Sequence, residues 1–191
     1  MKQFLKTYLY DALKMFLNQF GTAIFGFALS LAAAKAQNVT LRNVMGVCAI
    51  LFYLFLLYTM TWDIGFRDRV SVTQGKKAFN PLTGVGISLC ANSVNFLFAI
   101  CITLGCFFGD VAFFGNLGGI ASFCALLLEG MYTGLLANHF MGAALNSYWW
   151  VWFITPLPAI LTCGIAYNMG LKDFKLSVLL FGKKSTSDKT K

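Results

Sequence analysis

Glu129, in the run Leu128-Glu129-Gly130, is the one acid set inside a long apolar stretch of this chain. If that stretch enters a bilayer, an ionisable group at such depth costs about 2.5 kcal/mol or more unless it is paired or wet, which makes it a functional candidate by default. Removal from water penalises the charged carboxylate, and a group balanced in that way suits proton uptake and release. The competing reading puts Glu129-Gly130 at a helix end among lipid headgroups, where the acid is simply solvated. His139, the sole histidine, is a relay partner for Glu129 under the first reading and an interfacial loop residue under the second.

Three asparagines join these candidates through their spacing. Asn92 and Asn95 fall in the stripe Gly84, Ser88, Asn92, Asn95, Ala99 and Thr103, and Asn18 opens another with Thr22, Gly26, Ser30 and Ala34. Small residues let helix backbones approach closely in lipid, and polar side chains there can hydrogen-bond across the contact for on the order of 0.6 kcal/mol each. The two stripes are expected to pack on each other; the alternative is that Asn92, Asn95 and Asn18 line a polar cavity for a solute. A third stripe, Gly118, Ser122, Ala125, Glu129 and Thr133, carries the acid itself.

Other chemistry finds little support. No HExxH helix or Cys/His cluster is present to hold zinc, and no CxxC occurs among the six cysteines, which read as small buried hydrophobes. Ser88 in Gly86-Ile87-Ser88 lacks the second glycine of a nucleophile elbow, and Gly84-Val85-Gly86 lies in an apolar run rather than a phosphate-binding loop. The expectation is therefore no catalytic residue, no metal and no cofactor, and hence not an enzyme.

The elements that would position Glu129 follow from composition and charge. Apolar residues make up 58% of the 191-residue chain and charged residues 12%, about half the charged share of a soluble globule. All but two of the fifteen lysines and arginines lie in three stretches, 1–14, 63–80 and 171–191, and the exceptions, Lys35 and Arg42, share one short connection. Basic residues near span ends stay on the cytoplasmic side, so the three stretches should share that side. The formal charge of +8 then serves orientation and attraction to anionic headgroups, and nucleic acid is not an expected partner.

Apolar runs predict spans over about 15–34, 44–62, 81–108 and 148–170, the last led by Tyr148, Trp149, Trp150 and Trp152 and kinked or delayed by Pro156 and Pro158. Pro81 is placed as a first-turn residue. An odd number of crossings would divide the basic residues almost evenly between the two sides. The expected fold is therefore an all-α integral membrane protein with four full transmembrane helices plus a re-entrant or interfacial helix around 118–138; six or five spans are the alternatives. Residues 1–14 should form an amphipathic interfacial helix leading into the transmembrane domain, 15–170. Residues 171–191 should be a basic cytoplasmic tail, disordered from Lys183 onward. Asp63 and Asp68, alternating with Arg67 and Arg69, read as solvated ion pairs. Ala34-Lys35-Ala36 has the form of a signal-cleavage site, but the preceding basic region is too long for a signal peptide. Asn38-Val39-Thr40 is a glycosylation sequon in the outward loop.

The stretch Thr61-Trp62-Asp63-Ile64-Gly65-Phe66-Arg67-Asp68-Arg69, with Asn80-Pro81-Leu82-Thr83-Gly84 and Leu128-Glu129-Gly130-Met131-Tyr132, resembles a pattern in uncharacterised small polytopic membrane proteins of Gram-positive bacteria. The resemblance implies a bacterial plasma membrane and brings no activity. The leading expectation is a non-catalytic membrane subunit or scaffold, its termini cytoplasmic, that associates through its small-residue stripes and presents the 63–80 stretch and the tail to a cytoplasmic or membrane protein partner. The alternative is a small-solute or proton-coupled transporter using Glu129, Asn92, Asn95 and His139.

Overall fold

The computed structural model describes residues 2–174, and helices account for most of them. Most of the expected basic tail, residues 175–191, lies outside the described residues. Two long helices, α1 (Lys2–Lys35) and α2 (Val39–Thr73), run antiparallel and are joined by a tight turn. Asn38 caps α2, its Oδ1 accepting the Leu41 N–H at 3.0 Å. At 1.5 Å per residue each helix is about 50 Å long, roughly 20 Å more than a hydrocarbon core.

That excess revises two boundaries. The expected interfacial segment does not separate from the first span: α1 is unbroken, because no proline or cap residue interrupts it near residue 14. Its apolar side divides, with Tyr8, Ala12 and Met15 buried against the protein and Leu9, Leu13 and Leu17 turned outward. α2 likewise continues through the Asp63–Arg69 stretch expected as a connection.

The third expected span is broken. It consists of α3 (Thr83–Ala91) and α4 (Ser93–Phe107), bent by 55° at Asn92. Pro81 precedes α3 rather than forming its first turn; the Asn80 side chain receives the Leu82 N–H at 3.0 Å and so shapes the entry. α5 (Ala112–Leu128) returns against α4, with Gly105 and Gly118 at the closest approach. The chain then bends by 81° through a 3-10 turn, Gly130–Tyr132, into the short α6 (Thr133–Leu136).

A hairpin that the sequence reading did not anticipate follows. β1 (His139–Phe140) pairs antiparallel with β2 (Ala143–Ala144) across Met141 and Gly142, both at positive φ. A second 3-10 turn, Leu145–Ser147, leads to α7 (Val151–Ile154) and α8 (Leu157–Leu171), interrupted at Pro156 as expected. α8 packs along α2 and α3.

Apolar side chains cover the exterior as well as filling the core, and several polar ones are buried. Leu13, Leu17, Ile24, Leu51, Phe55, Leu161 and Ile165 are each more than half exposed, whereas Gln19, Asn92, Asn95 and Glu129 are buried. Three helices are long and apolar enough to cross a membrane, or up to five if each bent pair counts as one span. These are the features of an α-helical membrane protein.

The α4–α5 contact is the most easily tested. A Cβ on Gly105 would stand 2.6 Å from the Gly118 Cα, whereas one on Gly119 meets nothing within 4 Å. Gly105→Val should destabilise the protein in mild detergent by about 1–3 kcal/mol, read as a lower thermal midpoint, and Gly119→Ala should leave the midpoint unchanged.

Candidate functional site

Glu129 ends α5 and starts the 3-10 turn, its N–H closing the last helical turn on the Ala125 carbonyl at 2.8 Å. The helix-end part of the second reading therefore holds, but the exposure it assumed does not: Glu129 is only 2% exposed. The turn is pressed onto α1 at Gly130, where any Cβ would collide with the Ala23 carbonyl. Close backbone contact thus seals a residue that would otherwise sit at an open helix terminus.

Polar side chains from four helices converge on this level. Gln19 of α1 donates from Nε2 to the Leu128 carbonyl at 3.3 Å, capping α5 from outside. The Thr155 hydroxyl, between α7 and α8, is within hydrogen-bonding reach of the Glu129 carboxyl. Tyr53 of α2 and Tyr132 of the turn are close enough to feel its charge. On the far side Asn92 donates to the Ser88 carbonyl at 2.9 Å and Asn95 donates to Asn92 Oδ1 at 3.0 Å. Ser88 and Thr61 in turn hydrogen-bond with the Cys163 thiol.

Three of the expected candidates, Glu129, Asn92 and Asn95, are thus buried. Asn18 and His139 are not among them. Asn18 is half-buried and donates to Met60 Sδ at 3.3 Å, and the inward amide of α1 is its neighbour Gln19. The cause is helical geometry: a strict four-residue stripe rotates by about 40° per step against a 3.6-residue turn. Thr22 and Ser30, near its middle, are buried, while Ala34 at its end is exposed. Counting buried positions at three and four, from Tyr8 through Met15, would have found Gln19. His139 lies exposed in the hairpin, which removes it from any relay with Glu129.

α1 and α3 do pack together, but the glycines of the two stripes meet other partners. Gly26 of α1 lies under Met131, and Gly84 of α3 lies against Cys163 and Tyr167. The cysteines also divide: Cys163 is buried, but Cys48 and Cys106 face outward.

Polar ties close both ends of the bundle. At one end Asp68 Oδ2 accepts from Tyr8, from Tyr167 at 2.7 Å and from Lys77 at 2.7 Å, joining α1, α2, α8 and the 74–82 connection. Lys77 also meets the Tyr8 hydroxyl and ring. Burial pushes the Lys77 ammonium below the usual lysine pKa. Arg67 pairs with Asp11 at 2.9 Å and Arg69 with Asp173 at 2.6 Å. The expected solvated pairing of neighbours along the chain is therefore replaced by pairing between elements, and Asp68 is largely withdrawn from water. At the other end Arg42 donates to Asn138 Oδ1 at 2.9 Å, and Asn138 donates to Asn43 Oδ1 at 2.8 Å.

Compared with protein-family models, with curated proteins and with solved structures, the chain matches none.

The Asp68 tie carries a clear expectation. Asp68→Asn leaves the partly exposed Lys77 without its counter-charge and should cost about 1–2 kcal/mol in a reversible unfolding assay, whereas Tyr8→Phe, which removes one donor, should cost about 1 kcal/mol or less.

Proposed function

We propose that this protein is a multi-pass membrane transporter for a small solute, in which Glu129 is the group that takes up and releases a proton. The observation that carries the reading is the Glu129 carboxyl itself, 2% exposed at a helix break and with Oε2 lacking any partner. A sealed carboxylate without a counter-ion costs several kcal/mol, so it must be protonated or joined by a cation while the bundle is closed. Ionisation then requires an opening to water. A conformational change that opens one end is thereby linked to proton exchange, the coupling that a secondary transporter needs.

The rest of the architecture supports this reading. Helices are broken at Asn92 between α3 and α4 and at Glu129 between α5 and α6, and discontinuous helices of this kind are how transporters build sites within the membrane. The polar ties at Asp68 and at Arg42 stand on either side of Glu129 and act as opposite gates. We read four crossings, α1, α2, α3–α4 and α7–α8, with residues 112–138 re-entrant. α5 begins beside the α4 end, where Phe107 meets Trp149 at 5.7 Å, and Asn138 returns to Arg42 and Asn43 at the α1–α2 turn. The charge bias supports a cytoplasmic position for both termini and the Asp68 end, and the resemblance noted in the sequence supports a bacterial plasma membrane.

A second reading, a non-catalytic subunit or scaffold, draws on the exposed Arg67, Lys76 and Lys172 as a surface for an acidic partner. The small-residue faces that motivated it are taken up within the chain, by Met131, Tyr167 and the Gly105–Gly118 contact.

Reconstituted liposomes separate the two. Wild type should move protons together with at least one member of a broad solute panel, and Glu129→Gln should abolish that flux while eluting as a folded protein. Wild-type vesicles silent across the panel, with a partner co-purifying through the basic end, would transfer the case to the scaffold.

A further inference from the structure

The buried amides of the broken third span form an oriented row. Asn92 gives Nδ2 to the Ser88 carbonyl at 2.9 Å and to Ser88 Oγ at 3.3 Å, and Asn95 gives Nδ2 to Asn92 Oδ1 at 3.0 Å. Each amide is turned by the donor it has committed, so the row must end on a carbonyl oxygen. That oxygen, Asn95 Oδ1, has no partner, although Asn95 is only 4% exposed.

Helix register brings this oxygen to the level of Glu129. α4 and α5 are antiparallel and closest at Gly105 and Gly118. Stepping back along α4 to Asn95 and forward along α5 by the same rise of about 15 Å reaches Leu128, beside Glu129. Glu129 Oε2 is likewise unpartnered, and so is the hydroxyl of Tyr132, which is 8% exposed one turn further on. Two of these three oxygens can only accept, unless Glu129 is protonated. Each acceptor left unpaired in a dry site costs about 1–3 kcal/mol.

One ligand class answers all three oxygens. A cation satisfies several acceptors together and cancels the carboxylate charge, and oxygen ligands of this kind, with carbonyls freed at a helix break, are how membrane proteins hold small cations. The charge is set by Glu129, the one buried acid among the described residues. A single carboxylate balances a single positive charge, and no group of His, Cys, Asp or Glu able to hold a metal ion by itself occurs among the described residues. We infer that Glu129, Asn95 and Tyr132 bind one small monovalent cation, an alkali ion or a primary ammonium, at the break after α5. The inference rests on the transport reading above and deepens it, since this cation would be either the coupling ion or the cargo.

Equilibrium binding to the purified full-length protein in mild detergent tests it, with radiolabelled sodium ion and radiolabelled methylammonium as separate probes. Wild type should bind at least one of them saturably, and the probe that binds identifies the source of the charge. Glu129→Gln, near in shape to the native residue, should weaken binding by about thirtyfold or more. Asn95→Ala should weaken it as well; if that variant fails to fold, Tyr132→Phe removes only a hydroxyl and serves in its place. Binding of neither probe from mildly acid to mildly alkaline pH, or binding unchanged in Glu129→Gln, overturns the inference. Glu129-dependent proton flux without cation binding overturns this site and leaves the transport reading standing. Cation binding without flux in liposomes supports the site and removes the transport reading.

Discussion

A helix that stops inside an apolar bundle leaves its last carbonyls and whatever side chain ends it to be satisfied by protein alone, since lipid offers no hydrogen bonds. α5 stops in this way at Leu128. Gln19 takes the Leu128 carbonyl, Thr155 approaches the Glu129 carboxyl, and the amide row from Ser88 to Asn95 approaches from the opposite side. The requirement to satisfy this terminus accounts for the polar residues of α1 and of the α7–α8 junction that face it. It also leaves Asn95 Oδ1, Glu129 Oε2 and the Tyr132 hydroxyl without a partner.

The two ends of the bundle are organised differently from its centre. At one end charges are paired between elements, and at the other Arg42 is held by the Asn138 amide. Asp68 alone connects three other segments through Tyr8, Tyr167 and Lys77. A tie of this kind is cooperative, since movement of any one segment exposes the carboxylate to the loss of several donors together. The centre is held by close backbone contact at Gly130–Ala23, and contact of that kind does not depend on pH or salt.

Much of the architecture was legible in the residues, but unevenly so. The apolar runs located the long helices because a membrane span needs length and hydropathy, which are properties of a segment. Pro156 announced a break because a missing N–H and a fixed φ act locally. The break at Asn92 was not announced: the run from Ser88 to Ala99 looks continuous, and its bend is tied to the side-chain bonds linking Ser88, Asn92 and Asn95. A stripe drawn at four-residue intervals drifts around the helix, so it marks Asn18 and passes over the buried Gln19 beside it. The ion pairs were misread for a related reason. Neighbours in sequence seemed natural partners, although Arg67, Asp68 and Arg69 point in different directions from one helix and meet three different segments.

By itself the sequence determined that this chain folds as helices with apolar exteriors, that its basic residues gather at particular connections, and that one acid lies within an apolar run. Those conclusions depend only on residue type and local spacing. Only the tertiary structure decided whether that acid was wet or sealed, because burial at a helix end depends on what packs over the end. The decisive contact joins residues as distant as Ala23 and Gly130, and it can form only where a glycine lets two backbones meet.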